Sequence, residues 1–162
     1  MSKSRSRLRV GAKGALTVAG IFAVGLVGGY EGLRLTAYRD IVGVPTVCFG
    51  ETRGVKMGDR YTVDECREML GDGLVEFETS IRKCLVSPDL IPAKTYVAML
   101  SLSYNIGIGA FCRSTVARRA NAGDLRGACE AFLMWNKAGG RVIKGLARRR
   151  AEERTICLAD LK

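Results

Sequence analysis

Residues 30–40 read Tyr30-Glu31-Gly32-Leu33-Arg34-Leu35-Thr36-Ala37-Tyr38-Arg39-Asp40, directly after an uncharged run, residues 14–29 (GALTVAGIFAVGLVGG). Two carboxylates nine positions apart thus stand at the edge of the most apolar part of the chain. An apolar neighbourhood tends to keep a carboxyl protonated, so Glu31 is expected to serve as a proton donor. Asp40 falls in a polar turn region and is its natural ionised partner. A protonated acid opposite an ionised carboxylate is the pairing that can split a glycosidic bond. Thr46, six residues on, carries a hydroxyl able to hold a water. Taken singly, none of the three carries a function, because a lone Glu-Asp spacing is a weak signal.

Composition narrows the chemistry. The 162 residues are 48% hydrophobic, enough for one domain with a real core. A formal net charge of +10 favours an anionic partner: nucleic acid, anionic lipid or an acidic wall polymer. Histidine is absent, which excludes His-dependent zinc hydrolases, Ser-His-Asp hydrolases and Cys-His peptidases in their usual forms. Acid–base work then falls chiefly to carboxylates. The six cysteines, Cys48, Cys66, Cys84, Cys112, Cys129 and Cys157, show no CxxC spacing. No metal site is expected, and an even, scattered set points to disulfides in an oxidising compartment. Buried thiols are the alternative. The cluster Arg148, Arg149, Arg150 and Arg154 is interleaved with Glu152 and Glu153 and makes a poor nucleic-acid stripe; no helix-turn-helix or phosphate loop accompanies it.

Along the chain, residues 1–13 carry Lys3, Arg5, Arg7, Arg9 and Lys13 without an acid. With residues 14–30 they compete as a signal peptide, a permanent anchor or a buried helix. The cleavage site is poorly defined, the span is short of a full bilayer crossing, and a buried helix leaves the five cations unexplained. A weakly hydrophobic segment that enters the membrane basic end inside, yet can leave it, fits best. Residues 36–61 are rich in strand formers punctuated by glycine. Thr62 and Glu65 form a capping box for a helix to about Leu85, weakened by Gly71 and Gly73. Further helices are expected after Pro92, from near Ser114, from Asp124 to about Lys137, and over 145–160. The class is α+β: a small β-hairpin lobe, a larger helical lobe and a cleft between them, preceded by an N-terminal apolar helix.

The stretch EGLRLTAYRD, followed by VGVPTVCFGET, resembles the active-site segment of phage-type lysozymes, glycoside hydrolase family 24. Their pattern, EGxRxxxYxDxxGxxTxGxG, is matched by Glu31, Asp40 and Thr46 with both spacings intact. Ser103-Tyr104-Asn105-Ile106-Gly107, Trp135 to Gly140 and Gly145 to Arg150 match further segments. Two departures are local: Cys48 replaces a glycine, and Glu51 a frequent histidine.

The resemblance implies a lysozyme-like fold and an endolysin that hydrolyses the β-1,4 bond between N-acetylmuramic acid and N-acetylglucosamine, with inversion, to lyse the host cell. Glu31 is implied as general acid, Asp40 as the group that orients or activates water, and Thr46 as its positioner. Tyr104, Asn105 and Arg149 are implied in support or sugar binding, Arg149 lying against the catalytic glutamate. No cofactor is implied. Cysteine couples recur in related endolysins as Cys48–Cys66, Cys84–Cys112 and Cys129–Cys157. Residues 14–30 resemble a signal-anchor-release segment, ahead of a muramidase domain over 31–162. The protein is then expected as a monomer in the host inner membrane, N-terminus in the cytoplasm, inactive until a holin collapses the potential and it moves to the periplasm. Two rivals remain: a lytic transglycosylase, and a non-enzymatic cationic protein that binds membrane or wall.

Overall fold

The structure is a computed structural model that describes residues 5–11 and 13–162; Lys3, among the five N-terminal cations, lies outside them. It divides into two compact units. One is Leu8–Glu76; the other is Phe77–Lys162 together with residues 5–7.

The first unit begins with a tight antiparallel turn. Val10 N–H donates to the Ala15 carbonyl at 3.0 Å and Thr17 N–H to that of Leu8 at 2.8 Å. The Thr17 hydroxyl then accepts from Gly20 N–H at 3.1 Å, capping helix α1 (Val18–Glu31). Gly20, Ala23, Val24, Val27 and Gly28 are the buried residues of α1, and their spacing traces one helical stripe. Small size is required at two positions of that stripe, Gly20 and Gly28. A Cβ on Gly20 would sit 2.0 Å from the Leu8 carbonyl oxygen, and one on Gly28 would sit 3.1 Å from the Phe49 ring. The helix stops at Gly32, whose φ of +76° suits glycine. Among the described residues no helix is long and apolar enough to cross a membrane.

Strands β1 (Arg34–Arg39) and β2 (Pro45–Cys48) form an antiparallel hairpin, Tyr38 facing Thr46 and Arg39 facing Pro45. The register shifts between Arg34 and Tyr38, where β1 turns its other edge to the following loop. There Tyr61 N–H donates to the Leu35 carbonyl, and Ala37 N–H to that of Asp59, both at 2.9 Å. Beneath lie Ala37, Val47, Cys48 and Cys66, with Phe49, Val55, Tyr61 and Met69 packed against them. Cys48 adopts φ 59°, the left-handed region that disfavours a side chain by roughly 1–2 kcal/mol. Its disulfide to Cys66 closes a loop of a size worth about 3 kcal/mol, which outweighs that cost.

Helix α2 (Val63–Arg82) opens on the expected capping box. Glu65 N–H donates to the Thr62 hydroxyl at 3.2 Å, and Thr62 N–H to Glu65 Oε2 at 2.7 Å. The helix runs unbroken through Gly71 and Gly73, and at Gly71 the missing side chain admits Leu16.

The second unit is built around α3 (Ala93–Ile106), buried continuously from Thr95 to Ser103, with α7 (Lys144–Leu158) packed along it. Between them come α4 (Ile108–Cys112), α5 (Thr115–Asn121) and α6 (Leu125–Glu130). Ser114 and Asp124 cap the last two through Ala117 N–H and Gly127 N–H. The helix from Asp124 is shorter than its pattern predicts. It passes into a single 3-10 turn, Ala131–Met134, because β3 (Lys137–Ala138) pairs with β4 (Arg141–Val142). Gly139 and Gly140, both at positive φ, make the turn of that hairpin. The disulfides Cys84–Cys112 and Cys129–Cys157 staple this unit, so all three expected couples are present.

Candidate active site

Glu31 is the last residue of α1, three positions before β1 begins. It is exposed, with the uncharged run ending at this carboxylate. Asp40 and Thr46 are brought together at the turn end of the hairpin. Asp40 Oδ1 accepts from Val42 N–H and Val44 N–H, both at 2.9 Å, and its own N–H donates to the Val44 carbonyl at 3.0 Å. One carboxylate oxygen is thereby committed to holding the turn. Gly43, at φ +83°, supplies the backbone conformation this closure needs.

Thr46 is buried on β2, and its hydroxyl donates to the Val44 carbonyl at 3.0 Å. With the hydrogen directed there, the oxygen lone pairs remain able to accept from a water. Backbone bonds around Val44 therefore fix both side chains, so their relative position is set by a rigid turn.

Next to the hairpin, Glu51 stands where a histidine is frequent. It accepts from Thr52 N–H and Arg53 N–H at 2.9 and 2.8 Å, and pairs with the Arg53 guanidinium at 3.2 Å. Partial burial pushes its carboxyl up, but the Arg53 side chain and the two N–H groups outweigh it and hold the carboxyl below the usual range. The replacement thus brings its own partner, and Arg53 extends to Glu76 at 3.0 Å.

Tyr104, Asn105 and Arg149 all lie in the helical unit. Tyr104 meets the Phe77 ring edge-on at 5.4 Å. Asn105, exposed near the end of α3, accepts from Arg150 Nη1 at 3.0 Å. Arg149 is nearly buried; its Nε donates to Glu153 Oε1 at 3.1 Å and its Nη2 to the Ser101 carbonyl at 3.4 Å. Glu153 and Ser101 did not stand out in the sequence. Yet fully buried Glu153 is the hub, also pairing with Arg150 at 2.8 Å and accepting from the Ser101 hydroxyl at 2.6 Å. The signal available was the spacing of Arg149 and Arg150 to Glu153, four and three residues on one helix face. Among the described residues no group of three or more Cys, Asp or Glu side chains could hold a metal ion.

The profile of the phage lysozyme family matches residues 28–153. A SAR-endolysin of Bacteriophage PS119 is 40% identical over 148 residues, 90% of this chain and 87% of its own length. A SAR-endolysin of Enterobacteria phage P21 is 41% identical over 148 residues, 90% and 88% of the two chains. Among solved structures, a point mutant of P22 lysozyme superposes with a TM-score of 0.78 at 36% identity, covering 85% of this chain and 96% of that one.

Proposed function

The chain belongs to the phage lysozyme family and is a lysozyme of the endolysin type, and from that premise we propose the bond it cuts, the residues that cut it and the control on its release. The substrate bond is the β-1,4 link of peptidoglycan between N-acetylmuramic acid and N-acetylglucosamine. Glu31 delivers a proton to the leaving glycosidic oxygen. Asp40 orients and activates the attacking water, which Thr46 holds through a lone pair. Tyr104, Asn105 and Arg149 support the sugar-binding surface of the helical unit.

The observation that carries this reading is the Val44-centred turn. It commits Asp40 Oδ1 and the Thr46 hydroxyl hydrogen to the backbone, leaving acceptors, not donors, to meet a water. A site built to activate water is a hydrolase site, whereas closing an internal anhydro ring needs none. Mass spectrometry of fragments released from purified peptidoglycan tests it. Reducing ends are expected; anhydro ends would mean a transglycosylase, and no fragments a binding protein.

Residues 14–30 serve first as a membrane tether and then as α1. The name SAR-endolysin carried by the PS119 and P21 proteins supports this, as do the basic flank and the glycine content. As a continuous helix, residues 14–29 reach about 24 Å, less than the roughly 30 Å of a bilayer core. Such a span sits loosely and can be extracted. While tethered, Glu31 is pinned at the membrane surface and the enzyme is inactive. Loss of membrane potential through a holin frees the segment, and the enzyme passes from the inner membrane to the periplasm.

A further inference from the structure

Glu78 sits on α2 with 1% of its surface exposed, a depth at which a carboxylate needs hydrogen-bond donors on it. Two of its donors come from the far N-terminus. The Ser6 hydroxyl donates to Glu78 Oε2 at 2.5 Å and Arg7 N–H to Oε1 at 2.9 Å. Tyr96 adds its phenol to Oε1 at 2.8 Å, and Arg82 stands 3.9 Å away. The Arg7 side chain closes the site: its guanidinium lies 4.4 Å from the centroid of the Tyr96 ring, and Nη1 donates to the carbonyls of Pro88 and Ile91 at 2.8 and 2.7 Å. All these groups belong to the helical unit.

This arrangement conflicts with the tethered topology. If residues 14–29 span the membrane with their basic flank in the cytoplasm, Ser6 and Arg7 lie on the opposite side from Glu78 and Tyr96. The bonds above can form only after the flank has crossed. Leaving the bilayer is also costly for α1, which keeps Val18 and Ile21 85% and 64% exposed, apolar surface that favours a return to lipid.

Resting on the signal-anchor reading, we propose that Ser6–Arg7 is a latch: after release the dipeptide docks into the Glu78–Tyr96 site and holds the enzyme in its soluble form. Arg7 then has two successive roles. Before release its charge helps keep the N-terminus inside; afterwards its guanidinium binds the domain that was outside.

The double variant Ser6→Ala/Arg7→Lys tests this, since it keeps the charge of the flank while removing one donor to Glu78 and the guanidinium geometry. The purified full-length soluble protein is exposed to limiting trypsin, which recognises either residue at position 7. The bond between residues 7 and 8 is expected to be cut at least about tenfold faster in the variant. Equal cutting would overturn docking as the function of these two residues. Cells making either protein are then fractionated before an uncoupler, after it and after its removal. Both should be membrane-bound at first; the wild type should stay soluble once released, and the variant should release less or return. A variant that stays released as fully as the wild type overturns the latch. A wild type that is soluble before the uncoupler overturns the tether on which the latch rests, whatever trypsin shows. Peptidoglycan hydrolysis by the purified variant, expected at the wild-type rate, distinguishes loss of the latch from loss of the fold.

Discussion

Helices α1 and α3 have the same length and no charged residue in their middle turns, yet they use their apolar surface in opposite ways. α3 buries nine consecutive residues, from Thr95 to Ser103, as a helix enclosed on all sides must. α1 buries a single stripe, much of it glycine and alanine, and leaves Val18, Ile21 and half-covered Phe22 to solvent. An open apolar groove of about 700 Å³ runs beside it, lined in part by Leu16, Ile21, Val24 and Phe49. The core explains the nine buried residues of α3. It explains the buried stripe of α1 but not exposed Val18 and Ile21, which packing alone would let be polar. On the signal-anchor reading proposed above, these exposed apolar residues serve the membrane-bound state.

Three sets of substitutions probe the two helices. The largest effect belongs to the end of α1. Glu31→Gln keeps the shape and removes the proton, so muramidase activity of the folded protein should fall by about 10²–10⁴-fold; near-wild-type clearing of murein would remove Glu31 from its role. Stability should then separate the helices. Leu100→Ala, in the sealed interior of α3, should cost about 2–5 kcal/mol in denaturant unfolding. Ile21→Ala should change the soluble form by less than about 0.5 kcal/mol, while lowering the fraction of newly made protein held in the membrane. A destabilisation at Ile21 as large as that at Leu100 would make α1 an ordinary core helix. The smallest contrast lies within α1. Gly20→Ala drives a methyl against the Leu8 carbonyl oxygen and should destabilise by roughly 1–3 kcal/mol. Gly25→Ala meets nothing within 4 Å and should stabilise the helix by up to about 1 kcal/mol. Thermal melts of the two variants read the difference.

Features whose physics is local were legible in the sequence. The capping residues Thr62, Ser114 and Asp124 satisfy N–H groups within three positions, and the Asp40 and Thr46 spacing follows one hairpin. The exposed state of Glu31 was not legible, because the apolar run before it says nothing of which way the last helical turn faces. The early stop of α6 depends on a strand pair formed about ten residues later, and overrides a helical pattern that runs on. The basic flank read as the inner end of a membrane-entering segment. In the structure Arg9 pairs with Asp72 at 2.7 Å and with Glu68 at 3.4 Å, while Arg7 reaches Pro88 and Ile91, partners far along the chain that no local pattern announces. Disulfide pairing was accessible only through family resemblance, since spacing alone leaves many connectivities open.

The intact mass of the wild-type protein in each cell fraction tests most directly whether residues 14–30 occupy two environments in turn. Before an uncoupler is added, the full-length chain should be found in the inner membrane. After it, the same mass should appear in the periplasm together with muramidase activity. A soluble form shortened near residue 29 before the uncoupler would show a cleaved signal peptide, and α1 would then be no part of the working enzyme.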